Sequence, residues 1–123
     1  MTEANTVLVV DDDPDTRALL CDLLKGHGYQ PMSCGNGKEA LELLETGADP
    51  FVVLLDLSMP VMGGERFVEA LRSHTEFNRT SIVVLTGDES ARTRLWEAGI
   101  DVLLKPSDPK VLIATVQKYR PAN

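Results

Sequence analysis

Five short apolar runs alternate with segments whose hydrophobic residues recur at helical spacing, and the alternation covers nearly the whole chain. That pattern implies a parallel sheet covered by helices. Val7–Val10 is an aliphatic run that stops at Asp11, where Asp13 can cap a helix beginning at Pro14. Leu19, Leu20, Leu23 and Leu24 give this helix an apolar stripe, and Gly26 and Gly28 end it. Gln30–Cys34 reads as a second strand, and because Pro31 cannot donate a ladder hydrogen bond, that strand belongs at a sheet edge. Asn36 and Glu39 resemble a capping box for a helix carrying Ala40, Leu41, Leu43 and Leu44, with Gly47 as its stop.

Phe51–Leu55 is continuously apolar, as a strand buried on both faces should be, and it ends at Asp56. Leu57–Gly64 is a loop, Phe67, Val68 and Leu71 form the inner stripe of a third helix, and Ser73–Thr80 is its exit. Ile82–Leu85 makes a fourth strand ending at Thr86, followed by a helix from about Glu89 to Ala98. Val102–Leu104 is a fifth strand ending at Lys105-Pro106, after which Asp108 and Pro109 repeat the cap-and-proline signal for a last helix through Val111, Leu112, Val116 and Tyr119. At 123 residues and 43% hydrophobic, the sequence suits one domain spanning residues 1–123, with no room for a second.

In an open parallel sheet the polar residues at the carboxyl ends of strands gather on one rim, and ligands bind where the strand order reverses. Four of the five strands end in a chemically useful side chain: Asp11 and Asp12, then Asp56, Thr86 and Lys105. Three carboxylates on one rim repel one another unless a cation shares their charge. Oxygen ligands select a hard ion, and the small number of protein ligands, with room for water and phosphate oxygens, suits Mg²⁺ better than a Ca²⁺ cage. Asp56, between Leu55 and Leu57, is placed to act as a carboxylate nucleophile. Mg²⁺ and the Lys105 ammonium would neutralise a transferred phosphoryl group, and Thr86 could donate its hydroxyl to a phosphoryl oxygen.

The segments VLVVDDDP, VVLLDLSMPVMGG, VVLTGDES and EAGIDVLLKP, in this order and near this spacing, make the chain resemble the receiver domain of two-component response regulators, of the chemotaxis-regulator type. The resemblance covers essentially the whole chain. It implies a flavodoxin-like, doubly wound α/β fold with a five-stranded parallel sheet of order 2-1-3-4-5 and five helices, in agreement with the edge position inferred from Pro31. It implies that Asp12 is a direct metal ligand, that Asp11 acts largely through water, and that the Ser58 carbonyl completes the site. Asp56 is then the phosphoacceptor, Thr86 the switch hydroxyl and Lys105 the phosphate-contacting lysine, followed by a cis peptide to Pro106. The implied partner is a histidine kinase or histidine phosphotransfer protein, and the implied output is a two-state change in the surface formed by the helix from Glu89, the fifth strand and the last helix. Such a protein catalyses only its own phosphorylation and dephosphorylation. Ser58 and Asp88 either tune the lifetime of the phosphorylated form or are ordinary loop residues.

The sequence departs from the family pattern on the output side. Val102 stands where Tyr or Phe is usual, Ser107 where Phe is common, and the segment from Gly99 to Lys105 is one residue short. Aromatic rotation at Val102 is therefore excluded as the readout, while Trp96, the one tryptophan, is expected to pack against the sheet nearby. Cys21 and Cys34 read as reduced structural thiols, and His27 and His74 as residues without chemistry.

The balance of 12 basic against 19 acidic residues, net −7, argues against direct nucleic-acid binding. No apolar run reaches membrane-spanning length, so no membrane insertion is expected, and the polar Met1–Thr6 lacks an export pattern, which points to the cytoplasm. Two other readings compete. A receiver-fold interaction module working without phosphorylation would be marked by loss of a site residue, and none is lost. A Mg²⁺-dependent phosphatase would carry a second Asp two residues beyond the nucleophile, where this chain has Ser58.

Overall fold

The computed structural model describes residues 5–56, 69, 80–97, 99–105 and 108–121. Its elements run β1 (Thr6–Val10), α1 (Pro14–Gly26), β2 (Gln30–Cys34), α2 (Gly37–Glu45), β3 (Val52–Asp56), β4 (Ser81–Thr86), α3 (Glu89–Glu97), β5 (Asp101–Leu104) and α4 (Pro109–Tyr119). The helix expected around Phe67, Val68 and Leu71 lies outside the described residues, as do Ser58, His74, Pro106 and Ser107.

The five strands form one parallel sheet in the order β2-β1-β3-β4-β5, as expected, with the Pro31 strand at one edge. Strand periodicity divides the aliphatic residues between two faces. Val7, Val9, Val52, Leu54, Val83 and Leu85 pack with Leu24 of α1 and with Leu112, Ile113 and Val116 of α4. Leu8, Val10, Val53, Leu55 and Val84 face the other way, against Ala40 and Leu44 of α2 and Leu95 of α3. Residues Val52–Leu55 are wholly buried, which explains why β3 shows no polar alternation. Each such Val or Leu contributes about 1.5–3 kcal/mol of burial before chain entropy is charged against it.

The helix ends follow from local chemistry. The Asp13 side chain accepts the Asp15 N–H with Pro14 in the first turn, and Asp108 does the same for Lys110 with Pro109. Asn36 accepts the Glu39 N–H at 2.9 Å, but the return bond of this capping box, also 2.9 Å, reaches the N–H of Gly35 rather than that of Asn36. At the end of α1, Gly28 takes φ of +86°, and the paired bonds from Gly28 N to the Lys25 carbonyl and from Tyr29 N to the Leu24 carbonyl turn the chain into β2.

Trp96 does not pack against the sheet: it is 65% exposed. Ala91 and Leu95 occupy the inner face of α3, and the residue after Leu95 is turned about 100° away from it at helical periodicity.

Candidate functional site

The order β2-β1-β3 places the reversal of strand order between β1 and β3, and register sets the site there. Val10 is aligned with Leu55, so Asp11 and Asp56, the next residues, leave the sheet side by side. Thr86 ends β4 one position beyond the partner of Asp56, and Lys105 follows Leu104, the partner of Thr86. The Lys105 N–H donates to the Thr86 carbonyl at 2.8 Å, extending the ladder up to the lysine itself.

One carboxylate oxygen from each of Asp11, Asp12 and Asp56 lies within 4.8 Å of the others. Asp11 is 2% exposed and Asp56 8%, whereas Asp12 faces solvent. The Lys105 Nζ is 3.2 Å from Oδ1 of Asp56 and 3.5 Å from Oδ2 of Asp11. Burial pulls the lysine pKa down, but the charges of Asp11 and Asp56 outweigh it and hold the ammonium above the ordinary lysine value. The structure therefore brings Asp11, Asp12, Asp56 and Lys105 into one cluster, with Thr86 buried at the neighbouring strand end.

Around this cluster the backbone is tied down. The Asp13 N–H donates to Oδ1 of Asp11 at 2.9 Å, while the Asp13 carboxylate takes the Thr16 hydroxyl at 2.8 Å and the Asp15 N–H at 3.1 Å. The Thr16 bond, then the Asp15 bond, holds Asp13 below the usual carboxylate pKa, which agrees with the capping role read from sequence. The Thr86 hydroxyl oxygen accepts the Asp88 N–H at 3.1 Å, leaving its own hydrogen for another acceptor. The Asp88 carboxylate is taken up by Ser90, whose N–H and hydroxyl donate at 2.9 and 2.8 Å, so its local role is to start α3.

Three hard oxygen donors, two of them buried, fit a small divalent cation such as Mg²⁺ better than any softer metal. The cluster also presents a carboxylate, a hydroxyl and an ammonium from three different strand ends, the parts required to accept and neutralise a phosphoryl group. Reading the sequence missed Arg17, whose Nη1 donates to the Asp11 carbonyl at 2.7 Å. Its only signal is an arginine on the second turn of the helix that follows the acid run. His27 is exposed at the end of α1, its Nδ1 3.0 Å from the Leu23 carbonyl.

A family model described as the response regulator receiver domain matches residues 7–117. The sensor histidine kinase TmoS of Ectopseudomonas mendocina is 39% identical over 113 residues, which are 89% of this chain and 11% of the kinase. The structure of chemotaxis protein CheY4 from Vibrio cholerae is similar with a TM-score of 0.82 at 32% identity, covering 93% of this chain and 97% of that one. That of response regulator TrrA from Thermotoga maritima, solved in complex with Mg²⁺–BeF, gives 0.83 at 29% identity over 94% of this chain and 98% of TrrA.

Proposed function

Since the chain belongs to the response-regulator receiver family, whose general role is a phosphorylation-dependent switch, we propose that Asp56 accepts a phosphoryl group from a histidine kinase or histidine phosphotransfer protein. The observation that carries this reading is the convergence of Asp11, Asp12, Asp56 and Lys105 at one rim. Asp12 and Asp56, with Asp11 through water and the Ser58 carbonyl, would hold a Mg²⁺ ion. When bound, the ion offsets negative charge on the acids and on the incoming phosphoryl oxygens. A carboxylate oxygen of Asp56 attacks phosphorus in line, an O–P bond forms as the N–P bond to the donor histidine breaks, and the released imidazole carries away its electron pair and takes up a proton. The product is an acyl phosphate. The Lys105 ammonium, held between Asp11 and Asp56, moves onto a phosphoryl oxygen, and the Thr86 hydroxyl donates to another.

A groove of about 750 Å³ between α1 and α4, lined by Leu19, Leu20, Leu23, Leu85, Lys105 and Leu112, opens beside the lysine. Leu19 is 71% exposed there, an apolar surface on which a helix of the phosphodonor can lie. Phosphorylation draws Thr86 toward the phosphate, and α3, which follows β4, and β5, which pairs along it, carry the change to the partner that reads it. Among the described residues no helix is long and apolar enough to cross a membrane.

The test is incubation with acetyl phosphate and Mg²⁺ followed by intact-mass measurement. One phosphoryl adduct is expected, absent in Asp56→Ala and absent with chelator. An unmodified wild-type mass rules the reading out in favour of a module working without phosphorylation.

A further inference from the structure

We infer that Arg17 is a positioning residue of the acidic cluster: by pinning the peptide between Asp11 and Asp12 it aims Asp12, and so sets the affinity of the site for a divalent cation. The inference rests on the reading of Asp11 and Asp12 as metal carboxylates.

Asp11 is held at four points. Its N–H donates to the Cys34 carbonyl at 3.1 Å, its Oδ1 accepts from Asp13 N at 2.9 Å, its Oδ2 lies 3.5 Å from Lys105, and its carbonyl accepts from Arg17 Nη1 at 2.7 Å. The last bond differs in kind from the others. The Asp11 carbonyl lies in the rigid peptide plane that ends at the Cα of Asp12, so fixing that oxygen fixes the direction in which Asp12 leaves the backbone. Asp12 is the exposed member of the acidic cluster, and among the described residues no hydrogen bond holds its side chain. A cationic donor makes the bond short and strong, with an angular demand that water would not impose.

The environment of Arg17 is shaped for this. A Cβ on Gly35 would stand 3.3 Å from Arg17 Nη1 and 3.6 Å from Glu39 Oε1, so glycine at the start of the β2–α2 turn lets the guanidinium reach across to β1. Glu39 holds that turn by accepting the Gly35 N–H at 2.9 Å. Arg17 therefore links three pieces, α1, the end of β1 and the turn after β2, at the point where the acids emerge.

The experiment measures Mg²⁺ dissociation constants of the full chain by calorimetry, together with melting temperature in chelator and the rate of acetyl-phosphate phosphorylation as a function of Mg²⁺. Arg17→Met keeps the aliphatic stem and removes the donor; its Mg²⁺ dissociation constant should rise about tenfold, as loss of an outer partner does at metal sites. Phosphorylation should slow at low Mg²⁺ and recover at saturation, and Arg17→Lys should restore most of the affinity. Gly35→Ala, which crowds Nη1 without touching Asp11, Asp12 or Asp56, should weaken binding in the same direction by less, and it carries the test if Arg17→Met does not fold. A lower melting temperature with unchanged Mg²⁺ affinity in either variant overturns the inference and makes Arg17 a brace for α1 only. Wild-type protein that binds no Mg²⁺ sinks the proposed function as well, whereas wild-type binding with equal binding by the variants sinks this inference alone.

Discussion

The Lys105 ammonium lies 3.2 Å from Oδ1 of Asp56, and it reaches that oxygen from the end of a different strand. A cation thus already sits on the proposed acceptor, with a second contact to Asp11 at 3.5 Å. Under the proposed function it would compete with a metal for the same carboxylates and then serve the phosphoryl group.

Replacing it separates those two effects. In Lys105→Met, Mg²⁺ should bind more tightly, by up to about fivefold, the range for removing a partly exposed ion pair. Phosphorylation by acetyl phosphate should nevertheless slow by about tenfold or more, because a donor aimed at developing charge is lost. Calorimetry and timed mass spectra check both; weaker Mg²⁺ binding in the variant would contradict the competition.

Thr86 and Trp96 test the route of the signal. Trp96 lies exposed beside a groove of about 430 Å³ lined also by Arg92, Thr93 and Val102. With valine in place of a swinging aromatic, the tryptophan is the optical reporter nearest the surface expected to switch. Its fluorescence should shift when Mg²⁺ and beryllofluoride are added, and the shift should vanish in Thr86→Ala while that variant still takes up the phosphoryl group. A wild-type spectrum that does not move would mean that the signal leaves by another face.

At the opposite end of β5, the Tyr119 hydroxyl and the Lys118 ammonium both donate to the Asp101 carboxylate. Burial, then the bond to Asp101, pushes the tyrosine up to about 12. An unfolded tyrosine ionises near 10, so this bond contributes its full stability below about pH 10 and loses it as pH rises through 12. Asp101 is held below the usual carboxylate value, chiefly by the Tyr119 hydroxyl, so its contribution is present above the ordinary carboxylate range and is lost as pH falls through the lowered value. Absorbance titration of wild type against Tyr119→Phe should isolate the late-ionising ring, and Asp101→Asn should bring it back toward 10.

Cys34 is buried, and burial pushes its thiol up to about 11. In a Cys21→Ser background the remaining thiol should resist alkylation at pH 8, reacting at least about a hundredfold more slowly than after denaturation, since little thiolate forms and access is closed. Rapid labelling of folded protein would show that the end of β2 opens far more readily than its packing suggests.

Much of this protein was legible in its residue order. The apolar runs, the Asp-Pro helix starts at Asp13 and Asp108, and the edge strand at Pro31 all depend on local backbone chemistry, which a sequence displays directly. Asp11, Asp56, Thr86 and Lys105 were legible as candidates because a parallel sheet carries every strand end to the same rim. Trp96 was misread: the period that buries Ala91 and Leu95 turns it outward, and a large apolar side chain alone does not say which face of a helix it occupies.

What the sequence by itself determined was the five strands and the four described helices, the parallel arrangement of the strands and the list of groups at the rim, since each follows from periodicity, capping and the termination of apolar runs. Only the tertiary structure decided that Lys105 bridges Asp11 and Asp56 and that Arg17 reaches the Asp11 carbonyl across Gly35. Those relations depend on sheet register, on the packing of α1 and on side-chain length. A distance between groups far apart in the chain is set by all the elements between them, and no local pattern encodes it.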